Sequence, residues 1–203
     1  MFSFDNATFL AGYKQRFGPV TAELAAAIEF LLSRIESDVR FAPGPVDRWK
    51  IAYCLATFKW ETAHTLRPID EHGGDAYFNK RYGSGTAVGK ILGNTEAGDG
   101  ARFHGRGYVQ LTGRANYERA GKLLKADLIN KPERAKEPAL AYEIAMEGMN
   151  KGWFTGAKLA KFFKQGNPPN YEDARTIING HDKAQDIAEI ARRFDELLTG
   201  SLT

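Results

Sequence analysis

Apolar residues spaced three and four apart occupy both ends of this chain and stop between His72 and Gly107. That spacing winds into amphipathic helices, each of which needs a partner for its apolar face. The chain must therefore pack helix on helix around a middle stretch that is not regularly helical. In Glu23–Val39 the stripe is Leu24, Ala27, Ile28, Leu31, Leu32 and Ile35, with Thr21 or Pro19 placed to start it. After the breaker FAPGP, Asp47 is placed to cap a second helix through RWKIAYCLATFKWETAHTL, striped by Ile51, Leu55, Phe58 and Thr62 and stopped at Pro68. Helical patterns return at Gly113–Lys125, Pro138–Trp153, Ala157–Phe163, Tyr171–Ile178 and Lys183–Leu198. A D-x-x-Q sequence, Asp182 to Gln185, is placed to begin the last of them, and Asn179-Gly180 separates it from its predecessor. No repeat or low-complexity linker divides these segments, which predicts one mainly α domain over residues 1–203.

The interruption is glycine-rich and carries no periodic apolar run. It reads as a turn-rich excursion with short strands around Tyr77–Tyr82 and Phe103–Leu111, enough for a short β-hairpin. A long irregular segment is uncommon in a compact domain unless it builds a functional surface. A site is expected there and on the helix that precedes it.

Composition narrows the function classes. With 28 Lys and Arg against 25 Asp and Glu, the net charge of +3 is too mild to single out a nucleic-acid or membrane partner. Hydrophobic residues at 43% and charged residues at 26% are those of an ordinary globular chain, not of a disordered or fibrous one. The single cysteine, Cys54, excludes an internal disulfide and sits among apolar residues, which suits core packing in a reducing compartment. The start, MFSFDNATFLAGYKQRFG, lacks the basic and apolar regions of a secretory leader, and no stretch has the length of a membrane span. Synthesis in the cytoplasm is expected, with no stable membrane association.

Several residues have the chemistry of a site. Glu61 shares a helix face with Cys54, Thr57 and Phe58, near the helix C-terminus. Partial desolvation and the negative end of the helix dipole both favour a protonated carboxyl there, as a general acid requires. The pattern fits equally a surface glutamate balanced by basic neighbours. Glu71 follows Pro68, with Asp70 adjacent. Two carboxyl groups on opposite sides of a bond, one protonated and one ionised, are what glycosidic cleavage needs, although loop solvation also accounts for them. In RFHGRGYVQLTGRANY, Gly105 and Gly107 permit close backbone approach to a ligand, while Tyr108, Gln110, Thr112 and Asn116 offer hydroxyl and amide groups suited to neutral sugars. Thr112 also qualifies as a plain N-cap. The glycines do not fit a nucleotide loop, because Gln110 stands where the third glycine belongs. His64, His72, His104 and His181 lack metal-site spacing, so no metal and no cofactor are expected. Lys158, Lys161 and Lys164 read as a solvated face.

Three segments taken together, AYCLATFKWETAHTLRPIDEHGG, FHGRGYVQLTGRANYERAGKLL and ARTIINGHDKAQDIA, resemble glycoside hydrolase family 19 in its phage-lysin and predicted-chitinase branch, over about Asp47 to Phe194. The resemblance implies an α-rich, lysozyme-like fold and hydrolysis of β-1,4 linkages next to N-acetylated amino sugars, generally with inversion. It implies Glu61 as general acid and Glu71, or Asp70 beside it, as the base that activates water. It also implies Thr112 and Gln110 as holders of that water and the sugar, Tyr108 and Tyr117 as flanks of the cleft, and Asn179 as a contact to the acetamido group. Trp60 replaces the usual His, and Ala63-His64 stand where chitinases often have Gly-Gly.

A carboxyl separation of roughly 6.5–9.5 Å leaves room for a water and gives inversion, whereas about 5 Å favours a covalent retaining route. The resulting expectation is a monomeric, peptidoglycan-cleaving endolysin, made in the host cytoplasm and acting on the wall after release across the inner membrane. A chitinase of the same family is the alternative. A non-catalytic wall-binding module and a metal-dependent amidase are the rivals from other classes.

Overall fold

A computed structural model describes all residues from Met1 to Thr203. The chain is mainly helical and divides into two compact units, Met1–Arg67 with Gly148–Thr203, and Pro68–Glu147. The second unit holds the whole of the turn-rich segment.

In the first unit, α1 (Asn6–Phe17), α2 (Ala22–Glu36), α3 (Pro45–Glu61) and the C-terminal helix form one core. The start of α1 is fixed by Asp5, whose side chain accepts from the Thr8 amide, and its apolar face is narrow, with only Phe9 and Tyr13 buried. That stripe is too thin for periodicity to single out, and the helix is absent from the sequence reading. Thr21 caps α2, as its pattern predicts. Helix α3 departs from expectation at both ends. Pro45 supplies its first turn behind Gly44, while Asp47 accepts from the Ala42 amide and Lys50 instead of capping. The helix stops at Glu61, because Ala63, His64 and Leu66 take the left-handed backbone. From Ile51 to Lys59 every residue of α3 is buried, Cys54 among them, so the helix is packed on all sides. Burial pushes the Cys54 thiol far above its ordinary pKa, consistent with a packing role.

In the second unit, β1 (Ile69–Asp70) precedes α4 (Asp75–Tyr82), α5 (Ala87–Ile91) and α6 (Asp99–Arg102), and β2 (Arg106–Gly107) precedes α7 (Arg114–Leu124). The two strands pair antiparallel, Ile69 with Gly107 and Asp70 with Arg106. They are not a hairpin, since the turn-rich segment lies between them. The segment Tyr77–Tyr82, expected as a strand from its aromatic residues, is helical. Asp75 sits in the first turn and Lys80 and Arg81 in the last, complementing the helix dipole, while Phe78 and Tyr82 bury one narrow face.

Helix α8 (Pro138–Lys151) carries the chain from the second unit back to the first. There α9 (Leu159–Phe162), α10 (Tyr171–Ala174) with the 3-10 turn Arg175–Ile177, and α11 (Ala184–Ser201) complete the core. The expected cap at Asp182 is not made. Lys183, in a left-handed conformation, precedes α11, and the Asp182 carbonyl is used elsewhere. Phe194 of α11 meets Phe9, Tyr13 and Phe17 of α1 with ring centroids 6.4, 6.0 and 5.0 Å away. Lys59 of α3 donates to the Tyr13 hydroxyl at 2.8 Å beneath this cluster. No helix is long and apolar enough to cross a membrane.

The second unit is fastened by Asp99. Its buried carboxylate takes two hydrogen bonds from the Arg114 guanidinium, at 2.7 and 2.6 Å, and two from the Thr95 and Glu96 amides. Burial pushes this carboxyl up, but those hydrogen bonds and the Arg114 charge outweigh it and hold the group below the usual carboxylate range. A carboxyl lowered by folding contributes stability above its unfolded value of about 4 and loses it as the pH falls through the folded value. Asp99→Asn is therefore expected to cost about 3 kcal/mol at pH 7 in urea unfolding, with the difference from wild type shrinking below pH 4. An undiminished difference at low pH would contradict this account.

Candidate active site

Two carboxylates singled out by the sequence occupy different surroundings, one in each unit. Glu61 ends α3 in the first unit, with 18% of its side chain exposed. Its Oε1 accepts from Arg175 Nη1 at 2.6 Å, and Arg175 Nε donates to the Asp182 carbonyl at 3.1 Å. Arg175 is itself buried. The apolar surroundings expected for Glu61 are thus only part of its environment, because a guanidinium is held directly against it. Sequence reasoning passed over Arg175. The available signal was a basic residue between Ala174 and Ile177-Ile178, which must find a partner if that segment is buried.

The backbone after Glu61 is unusual. Ala63 and His64 have φ of 50° and 67°, the region that favours glycine, at the positions where the resemblance expects Gly-Gly. The edge of His64 meets the Trp60 ring, with centroids 6.0 Å apart and an interplanar angle of 88°. The left-handed turn is kept with side chains in place of glycine.

In the second unit the chain pairing at β1 and β2 extends by one residue, with the Glu71 amide donating to the Gly105 carbonyl at 2.7 Å. This brings Glu71 onto the loop that begins at Gly105. Glu71 Oε1 accepts from the Tyr82 hydroxyl at 2.7 Å, and Oε2 accepts from the Gly105 amide at 3.2 Å. A Cβ placed on Gly105 would lie 2.9 Å from Gln110 Oε1, 3.0 Å from Glu71 Oε2 and 3.2 Å from Thr112 Oγ1. Three oxygens expected from the sequence to work together therefore converge on one face of Gly105, where only glycine leaves them room. Gln110 has φ of 55°, and its Nε2 donates to the Gly107 carbonyl at 3.3 Å, turning Oε1 inward. The Thr112 hydroxyl donates to the Gln110 carbonyl at 2.8 Å, so it is a partner in this turn and not an N-cap; Gly113 occupies that position.

Asp70, the other candidate for the second acid, is differently engaged. Its carboxylate accepts from Arg106 Nε at 3.1 Å and His104 Nε2 at 3.2 Å, and is paired with Lys136. Burial, which would raise its pKa, is outweighed by the hydrogen bonds from Lys136 and His104 and by the charges of Lys136 and Arg106, so the carboxyl lies below its ordinary range. Glu71 has only neutral donors.

Tyr108 and Tyr117, expected to flank a cleft, are buried. The Tyr117 hydroxyl donates to the His104 carbonyl at 2.8 Å and accepts from Arg106 Nη1 at 2.9 Å, so it shapes the loop from inside. Asn179 is exposed in the first unit, and its Oδ1 accepts from the Gly180 amide. No group of three or more His, Cys, Asp or Glu side chains is arranged to hold a metal ion.

The sequence model of the chitinase class I family, glycoside hydrolase family 19, matches residues 46–158, more than half of the chain. An acidic endochitinase of Petunia hybrida is 30% identical over 128 residues, which cover 60% of this chain and 40% of that protein. An acidic 27 kDa endochitinase of Solanum lycopersicum is 35% identical over 78 residues, 38% of this chain and 27% of that protein. The chain thus spans less than half the length of these relatives. Among solved structures, chitinase C from Streptomyces griseus HUT6037 superposes with a TM-score of 0.63 at 20% identity, covering 94% of this chain and 76% of that one. A bacterial family 19 chitinase superposes at 0.57 with 20% identity, covering 96% and 94%. These likenesses show a shared fold.

The Glu61–Arg175 pair makes a stability prediction of its own. Removing either partner leaves the other charge poorly solvated, so Glu61→Gln and Arg175→Met should each destabilise by about 2–3 kcal/mol. The double variant should cost clearly less than the sum, with a coupling of about 1–3 kcal/mol in urea unfolding. Strict additivity would mean that the ion pair does not operate in solution.

Proposed function

The chain belongs to glycoside hydrolase family 19, and we propose that it hydrolyses β-1,4 bonds in polymers of N-acetylated amino sugars, with chitin as the substrate that the names of its relatives favour. The observation that carries the reading is the convergence of Glu71 Oε2, Gln110 Oε1 and Thr112 Oγ1 beside Gly105. Neighbouring acceptors of this kind suit a water molecule, which gives one proton to Glu71 and one to Gln110 or Thr112 and keeps a lone pair for a reacting carbon.

In this reading Glu71 takes a proton from the water as its oxygen bonds to the anomeric carbon. Glu61 gives a proton to the departing glycosidic oxygen as the bond to that oxygen breaks. Glu61, protonated before this step, then carries a negative charge and re-forms the 2.6 Å ion pair with the Arg175 guanidinium that the structure shows. The two carboxyl groups exchange protons with solvent before the next turnover. Asp70, paired with three cationic or hydrogen-bonding side chains, holds the strand pair in place and leaves the base role to Glu71. Asn179 remains the proposed contact to an acetamido group.

Peptidoglycan glycan, the first expectation from the sequence, is the second reading. It draws on the departures next to Glu61 in sequence, where Trp60 replaces His and Ala63-His64 replace Gly-Gly, and on the contact between the Trp60 and His64 rings. Incubation with N-acetylglucosamine oligomers and with purified peptidoglycan, followed by mass spectrometry of soluble products, separates the two. Shorter oligomers from the N-acetylglucosamine substrate are expected. Release from peptidoglycan alone would favour the second reading, and release from neither would defeat both.

Glu61→Gln and Glu71→Gln should each lower kcat by roughly 10²–10⁴-fold. Gly105→Ala should lower kcat at least about tenfold with little loss of stability, because its new methyl meets the ends of flexible side chains and no backbone. Full activity in Gly105→Ala would remove the oxygen cluster from the mechanism.

A further inference from the structure

We infer that Tyr82 is a positioning residue for Glu71, which assigns different tasks to the two oxygens of that carboxylate. The inference rests on the reading of Glu71 as the base, and its geometry is independent of which glycan is cut.

The two oxygens are held unequally. Oε1 receives the Tyr82 hydroxyl at 2.7 Å, a charge-assisted length, while Oε2 receives only the Gly105 amide at 3.2 Å. Oε2 is also the oxygen beside Gln110 Oε1 and Thr112 Oγ1. Tyr82 therefore fixes the carboxylate by its other oxygen, and the more weakly bonded oxygen is the one beside the cluster. A carboxylate without that tether could rotate and exchange the two.

Tyr82 is itself anchored more firmly than a merely adjacent phenol would be. The residue is 8% exposed, and its ring stacks on Phe78, which in turn stacks on His104 at 4.5 Å between centroids. Its carbonyl accepts from Asn94 Nδ2 at 2.7 Å, and Asn94 Oδ1 accepts from the Arg114 amide at the start of α7 at 2.7 Å. Asn94 is buried and thus links the end of α4 to the helix that follows the Thr112 loop. At Gly89 a Cβ would fall 2.5 Å from the Tyr82 carbonyl and 2.0 Å from that of Gly83, so glycine is required for α5 to close over this corner. Burial first, and then the hydrogen bond and charge of Glu71, push the Tyr82 phenol well above its ordinary pKa. It therefore remains protonated, and a donor, at neutral pH.

Two measurements test the assignment. In steady-state hydrolysis of an N-acetylglucosamine hexamer, Tyr82→Phe is expected to lower kcat about tenfold or more and leave KM within about twofold. A rise in KM with kcat unchanged would overturn the positioning role. In carbon-13 NMR of ring-labelled tyrosine, the Tyr82 Cζ resonance should move as the pH falls through the carboxylate range in wild type, and Glu71→Gln should abolish that movement. Equal movement in both proteins would show that Tyr82 does not report on Glu71. Because the NMR experiment needs no turnover, a wild type that cleaves neither glycan would count against the proposed function while the Cζ titration still decides the coupling.

Discussion

The main-chain pairing of Ile69–Glu71 with Gly105–Gly107 is the constraint on which the candidate base depends. Residues 34 apart in sequence are brought into contact by a ladder of two residues and one further bond, the Glu71 amide to the Gly105 carbonyl at 2.7 Å. So short a ladder has little stability of its own. It is held by the surrounding ion pairs, with Asp70 bridging Arg106, His104 and Lys136, and Arg106 reaching on to the Tyr117 hydroxyl. Once the ladder is formed, Glu71 lies against a loop whose next turns carry Gln110 and Thr112. The cluster of oxygens is then a consequence of chain geometry.

The first unit positions Glu61 by a different means. Helix α3 is buried from Ile51 to Lys59 and cannot shift without repacking the core, and its last residue is the candidate acid. Beyond that residue three left-handed positions turn the chain away. Arg175, at the junction of α10 and its 3-10 extension, is tied both to the Asp182 carbonyl and to Glu61. A buried guanidinium with one carboxylate and one carbonyl as acceptors is a strong orienting group. The candidate acid is therefore fixed by a rigid helix on one side and by a charged hydrogen bond on the other, while the candidate base is fixed by a strand contact and a phenol.

The parts of this arrangement that were legible in the sequence are those with a wide apolar stripe or a distinctive polar string. Helices α2, α3, α7, α8 and α11 follow their periodicity within a few residues, and Glu71, Gln110 and Thr112, grouped by the family resemblance, lie beside one another at Gly105. What remained hidden has physical causes. Helices α1 and α4 bury only two residues each, and the Tyr-Phe-Tyr content of α4 favours strand on propensity alone. That misreading concealed Tyr82. Adjacent acids cannot be ranked by spacing, and only the cations around Asp70 separate it from Glu71. Tyr108 and Tyr117 read as sugar platforms because aromatic residues in a polar loop suggest exposure, but their burial makes them the interior of that loop. The peptidoglycan expectation came from a resemblance to one branch of the family, whereas the relatives actually matched are named as endochitinases.

The central claim is that Glu71 directs a water, and not its own carboxylate, at the anomeric carbon. Proton NMR of the product in the first minutes of hydrolysis of an N-acetylglucosamine oligomer tests it directly. Attack by water on the face opposite the leaving group gives the α-anomer first from a β linkage, followed by slow mutarotation. First appearance of the β-anomer would show retention and contradict the account.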